Sequence, residues 1–147
     1  MSQHPSVSGA TACSPYLFYD DVAAAVAFLT HAFGFAERFV DRDDKGHAHH
    51  AQVAHGAAVV MMGESYPATD KFKARKSPRS IDAVHAGVYL FVDDVDAHAR
   101  RAREAGAEIL MEPADMHWGD RLYCAADPEG QMWMFATPVR KVPDDQR

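Results

Sequence analysis

A chain of 147 residues, 48% of them apolar, has the length and composition of one compact soluble domain. Its net charge of −6 argues against nucleic acid as a partner. No apolar run approaches the ~18 residues of a membrane helix, and Cys13 and Cys124 lie too far apart for a metal or redox motif, so reduced thiols in a cytoplasmic protein are expected.

Residues 1–12 are rich in Ser, Gly and Ala and lack a basic start followed by an apolar stretch, so they read as a disordered tail. A strand is expected over 15–19. Asp20 or Asp21 then caps a helix, because a short carboxylate accepts from the free amides of a first turn. Val22, Val26, Leu29 and Phe33 recur at helical spacing and form its buried stripe. Gly34 suits the left-handed residue past its end. Residues 35–40 read as a strand and 41–46 as a polar turn. Strands over 47–54 and 57–62 flank a two-residue loop at His55-Gly56.

Residues 64–84 break the pattern with Pro67, Pro78 and a basic cluster of Lys71, Lys73, Arg75, Lys76 and Arg79. They read as a mobile linker with a solvated basic face. The order then returns: a strand over 87–92, a helix over 94–105, a strand over 108–111, a loop over 113–120, a strand over 121–126, a turn at Asp127-Pro128-Glu129-Gly130, and a strand over 131–136.

The second half echoes the first. Tyr16-Leu17-Phe18-Tyr19-Asp20-Asp21-Val22 reappears as Tyr89-Leu90-Phe91-Val92-Asp93-Asp94-Val95, an offset of 73 residues. Each copy runs strand-helix-strand-strand-strand, over 13–63 and 85–138, with a short tail at 139–147. A half of that size rarely closes a core alone, so the two must pack together.

With Pro15-Tyr16-Leu17, Ala32-Phe33-Gly34, His50-Ala51-Gln52-Val53, Val92-Asp93-Asp94-Val95-Asp96-Ala97, Trp118-Gly119-Asp120-Arg121 and Asp127-Pro128-Glu129-Gly130 ahead of Trp133, the chain resembles the vicinal oxygen chelate superfamily, which includes glyoxalase I, extradiol dioxygenases and bleomycin-resistance proteins. The similarity spans roughly 14–138 and is nearest to the PhnB-like branch. The resemblance implies an α+β fold in which two βαβββ modules form a cup-shaped, eight-stranded mixed sheet with helices outside. It also implies modules that often pair across chains, hence a homodimer.

Side chains alternate along strands. Val88, Leu90 and Val92 suit a helix-packed face, which leaves Gly87, Tyr89 and Phe91 toward the cup, as Ser14, Tyr16 and Phe18 in the first module. The His55-Gly56 loop sets Gln52 opposite Val59 and His50 opposite Met61. The four-residue turn after Ala126 sets Tyr123 opposite Met134 and Arg121 opposite Ala136. The resemblance puts the superfamily's metal ligands at Ser14, Met61, Gly87 and Met134. Glycine offers no donor, and serine and methionine are poor ligands for divalent ions, so no metal and no cofactor are expected.

What remains is an apolar cup. Tyr16, Phe18, Tyr89 and Phe91 supply aromatic walls, and Met61, Met132 and Met134 adaptable ones, a lining suited to a small organic ligand. His50 is a general base, a ligand-orienting donor, a ligand of an unusual metal or a structural histidine. Gln52 sits beside it where the branch commonly has glutamate. Arg121 binds an anion or forms a salt bridge with Asp120. Trp118 and Tyr123 wall the mouth, or Trp118 anchors a loop. Two functions stay open: a metal-free protein that binds, sequesters or confers resistance to an apolar or aromatic compound, and a metal-independent isomerase, lyase or cyclase using His50 with Arg121 or Tyr123.

Overall fold

A computed structural model describes residues 13–146; the tail expected over 1–12 lies outside them. The first module runs β1 (Tyr16–Tyr19), α1 (Val22–Phe33), β2 (Ala36–Arg42), β3 (Ala48–His55) and β4 (Ala58–Glu64). A short helix α2 (Pro78–Ile81) interrupts the connection. The second module runs β5 (Gly87–Phe91), α3 (Val95–Glu104), β6 (Glu108–Asp115), β7 (Asp120–Ala126) and β8 (Met132–Pro138), and a 3-10 turn at Asp144–Gln146 follows. The eight strands form two four-stranded mixed sheets, β1-β4-β3-β2 and β5-β8-β7-β6. In each, the first strand lies parallel to the last and the remaining pairs are antiparallel.

The helices end as the residues dictate. Asp21 accepts from the Ala24 amide at 2.9 Å and Asp94 from the Ala97 amide at 3.0 Å, which relieves free donors of each first turn. Gly34 takes φ 73°, and the Phe35 amide returns to the Leu29 carbonyl at 3.3 Å. Val22, Ala25, Val26, Leu29, Ala32 and Phe33 are the buried stripe of α1.

Neither module closes its core alone. Phe33 of α1 packs on Phe135 and Trp133 of β8, with ring centroids 4.8 and 5.7 Å apart, and Phe35 lies 5.4 Å from Trp133. Arg101 of α3 donates to the His31 and Thr30 carbonyls at the end of α1, at 2.9 and 3.0 Å. The turn between β7 and β8 reaches back to the start of α1. Glu129 accepts from the Asp20 and Asp21 amides at 2.6 and 2.9 Å, and Gln131 donates to the Phe18 carbonyl. Buried Asp127 accepts from the Tyr19 hydroxyl and the Trp133 indole. Burial pushes its carboxyl above the ordinary carboxylate range, against the pull of those bonds.

Four local expectations change. The β3–β4 loop is Gly56-Ala57, one residue later than expected, so His50 opposes Gly63 and Gln52 opposes Met61. The loop after β7 closes between Asp127 and Gln131, with the Gln131 and Glu129 amides both bonded to Asp127 Oδ1 and Gly130 at φ 84°. Tyr123 therefore opposes Phe135, and Arg121 opposes Thr137. Strand β6 continues through Pro113 as an edge strand with register shifts, where a residue without an amide proton costs little. The connection over 64–84 is fastened: Tyr66 and Arg75 exchange both backbone hydrogen bonds, and buried Ser77 bonds Ser65 and the Glu129 carbonyl.

Candidate functional site

One face of each sheet packs on the shared core and the other is open. In the first module Tyr19, Ala51, Val53, Val60 and Met62 point inward and are buried, while Tyr16, Phe18, His50, Gln52 and Met61 alternate onto the open face. In the second, Val88, Leu90, Trp133 and Phe135 point inward, and Tyr89, Phe91, Cys124, Met132 and Met134 lie on the open face. Tyr16, Phe18, Tyr89 and Phe91 thus lie on the strand faces that alternation predicted.

On the first open face a row of rings is continuous. Phe39 lies 5.6 Å from His50, His50 5.6 Å from Tyr16, and Tyr16 5.4 Å from Phe18. The Tyr16 hydroxyl stands 2.9 Å from His50 Nδ1. Gly63, opposite His50, makes room for this: a Cβ there would meet the Tyr16 hydroxyl at 2.7 Å. The Arg75 guanidinium sits over the Phe18 and Tyr66 rings, 5.3 and 5.2 Å from their centroids. Two clefts border the row. One of about 360 Å³ is lined by Tyr16, Phe18, Arg75, Ile81, His85 and Gln131, among others. The other, about 280 Å³, takes in Tyr16, His50, Gly63, Glu64, Tyr66 and Arg75.

On the second open face the Tyr89 hydroxyl donates to Asp120 at 2.7 Å and accepts from the Trp118 indole at 3.3 Å; Phe91 meets Tyr89 edge to face, ring centroids 5.5 Å apart. Burial, and then the bond to Asp120, push the Tyr89 phenol up from its ordinary value. The Met132 and Met134 methyls close over Gly87, each 2.8 Å from where its Cβ would stand.

Arg121 and Tyr123 belong to neither open face. The register of β7 on β8 differs by one residue from that expected, and one residue turns a whole strand over. Tyr123 is fully buried, its hydroxyl 2.6 Å from His98 Nδ1 on α3, and burial pushes its phenol up. Arg121 grips Asp96 of α3 through Nε and Nη2, at 2.9 and 3.0 Å, and reaches Asp115 at 3.0 Å. Its salt bridges are therefore to Asp96 and Asp115, while Asp120 serves Tyr89. The Arg121 bond also holds the Asp96 carboxyl below its ordinary value.

The four positions to which the resemblance assigns metal ligands hold Ser14, Met61, Gly87 and Met134, donors poorly suited to a divalent ion. Among the described residues no group of three or more His, Cys, Asp or Glu side chains could share one. The histidine tract is divided among carboxylates: His47 bonds Glu64, and His49 bonds Asp41 at 3.1 Å.

Two residues of the first face were not singled out from the sequence. Phe39 could have been found from strand alternation. Arg75 could not, since its place depends on the Tyr66–Arg75 bridge.

Known proteins share this architecture. A protein of Mycobacterium bovis described as uncharacterised is 35% identical over 135 residues, covering 92% of this chain and 88% of that one. An anthracycline biosynthesis protein of Streptomyces peucetius, DnrV, is 30% identical over 114 residues, covering 75% of this chain and 40% of the relative. The crystal structure of TioX from Micromonospora sp. ML1 superposes with a TM-score of 0.70 at 29% identity, over 88% of this chain and 100% of that one. Residues 10–135 match the model of the Glyoxalase/Bleomycin resistance protein/Dioxygenase superfamily, so with its paired βαβββ modules the chain belongs to that superfamily, the vicinal oxygen chelate proteins.

Proposed function

We propose that this protein is a metal-free, PhnB-like member of the superfamily that binds a small apolar or aromatic molecule on its open faces, sequestering it or conferring resistance to it. It acts as a cytoplasmic homodimer with neither nucleic acid nor membrane as a partner. The observation that carries the reading is the unbroken row Phe39–His50–Tyr16–Phe18 beside two clefts, on a scaffold whose metal positions hold no suitable donors. An apolar wall of aromatic rings favours a flat ligand, and such a site needs few polar groups.

The dimer is supported by the apolar surface each open face leaves uncovered. Tyr16 is 43% exposed and Phe39 45% on the first, and Phe91 54% on the second. Apolar patches of this kind mark interaction sites. No helix is long and apolar enough to cross a membrane among the described residues.

The test is calorimetric titration with 2-naphthamide, a planar neutral probe, followed by recovery of the probe. Saturable binding with the probe returned unchanged is expected. Absence of saturable binding across a set of planar bicyclic compounds would overturn the reading. A second reading, a metal-independent isomerase, lyase or cyclase, draws on the Tyr16–His50 hydrogen bond, which presents a paired phenol and imidazole to a ligand. Arg121 and Tyr123 have no part in it.

A further inference from the structure

Arg75 is a strongly basic group that the fold carries onto the aromatic row. Its backbone is locked to Tyr66 by hydrogen bonds of 2.7 and 2.9 Å, so the loop between them closes as a strap and presents the side chain to the first open face. The guanidinium lies over Phe18 and Tyr66 and lines both clefts. Among the described residues it makes no ion pair and no side-chain hydrogen bond, unlike Arg79, Arg103 and Arg121. The carboxylate nearest in the smaller cleft, Glu64, is engaged by His47.

Held over two rings with no ion pair or side-chain hydrogen bond among the described residues, the guanidinium keeps its N–H donors available to a ligand. Those donors form a rigid fork that matches a carboxylate in two parallel bonds. His50 adds a second donor nearby. When the Tyr16 hydroxyl donates to Nδ1, the neutral imidazole carries its proton on Nε2, which has no protein partner among the described residues. Lys76 and His85 line the larger cleft on the same side. The cleft volumes, about 360 and 280 Å³, suit a ligand of two or three rings.

We infer that Arg75 makes the first open face selective for planar aromatic carboxylates, the ligand's rings lying against Tyr16 in the clefts and the carboxylate meeting the Arg75 fork. This rests on the small-molecule reading above and narrows it to aromatic acids.

The experiment compares 2-naphthoate with 2-naphthamide, which have the same shape and differ in charge, by calorimetry on the full chain. The wild-type protein should bind 2-naphthoate roughly ten- to hundredfold more tightly, the scale of a charge-assisted hydrogen-bonded pair. The preference should shrink as salt rises. Arg75→Gln should abolish the preference by bringing 2-naphthoate affinity down to that for 2-naphthamide, with the melting temperature nearly unchanged. Arg75→Lys should keep only part of it. Equal affinity for both probes in the wild-type protein would overturn the inference and leave the binding function standing. So would a preference that survives Arg75→Gln, or an Arg75→Gln variant that loses both probes alike, which would make Arg75 only a fastener of the strap. Failure of both probes to bind wild-type protein would remove the binding function itself.

Discussion

His98 Nδ1 and the Tyr123 hydroxyl meet at 2.6 Å where α3 crosses β7, and the other imidazole nitrogen donates to the Phe33 carbonyl at 2.8 Å. One histidine thus ties the second sheet to the end of α1. With Nε2 donating, Nδ1 is the acceptor of the phenol proton.

Tyr123→Phe removes that donor and strands the partly buried Nδ1. The expected loss is about 1–3 kcal/mol of unfolding free energy, the cost of an unsatisfied buried polar atom. Urea denaturation measures it. Affinity for 2-naphthamide should not change; a large loss of binding without a loss of stability would return Tyr123 to the ligand site.

The same histidine predicts acid sensitivity. Burial holds the His98 pKa below its ordinary 6.5 in the folded protein. The unfolded chain therefore takes up the proton first, and the contribution of His98 to stability is full above 6.5 and is lost as pH falls from there through the folded value. His47 acts oppositely, since the bond to Glu64 raises its pKa and its contribution is lost as pH rises. Comparing wild type with His98→Gln isolates the first effect. Wild type should lose stability more steeply between about pH 7 and 5, and parallel profiles would contradict the assignment.

Glu129 caps amides 109 and 108 residues away in sequence, those of Asp20 and Asp21. Glu129→Ala leaves the Asp20 and Asp21 amides without their acceptor, and should cost about 1–3 kcal/mol. Hydrogen exchange should show these amides losing protection first. Unchanged exchange at Asp20 and Asp21 would show that the cap is dispensable.

Gly63→Ala tests the row of rings. The added methyl would stand 2.7 Å from the Tyr16 hydroxyl and 2.8 Å from its ring, so the ring must swing away from His50. Overpacking of this kind typically costs about 1–3 kcal/mol, and 2-naphthamide binding should weaken with it. Wild-type affinity in this variant would remove Tyr16 from the site.

Light scattering at micromolar concentration should report about twice the 16.2 kDa of one chain. A monomer would reject pairing of the open faces. Elemental analysis of the same untagged sample should find no stoichiometric Zn, Ni, Mn or Fe; one tightly held equivalent bridging both modules would reject the metal-free reading.

The repeat, the helix caps and the strand alternation of Tyr16, Phe18, Tyr89 and Phe91 were legible in the sequence because each is local: a carboxylate before a helix or a period of two needs no distant partner. Register was legible only where errors cancel. Moving the β3–β4 loop by one residue shifts the pairing by two, so His50 and Gln52 keep their face. Closing the β7–β8 loop at Asp127 shifts the pairing by one, which turns Arg121 and Tyr123 inward to Asp96 and His98. Turn-forming residues announce a turn, but which residue closes it depends on the Asp127 carboxylate, held by Tyr19 and Trp133 from outside the loop. Arg75 is the same case at longer range. As a sequence it is one cation in a basic stretch; the Tyr66 bridge and the Phe18 ring decide that it stands over the aromatic face, and such contacts join residues whose local preferences carry no record of one another.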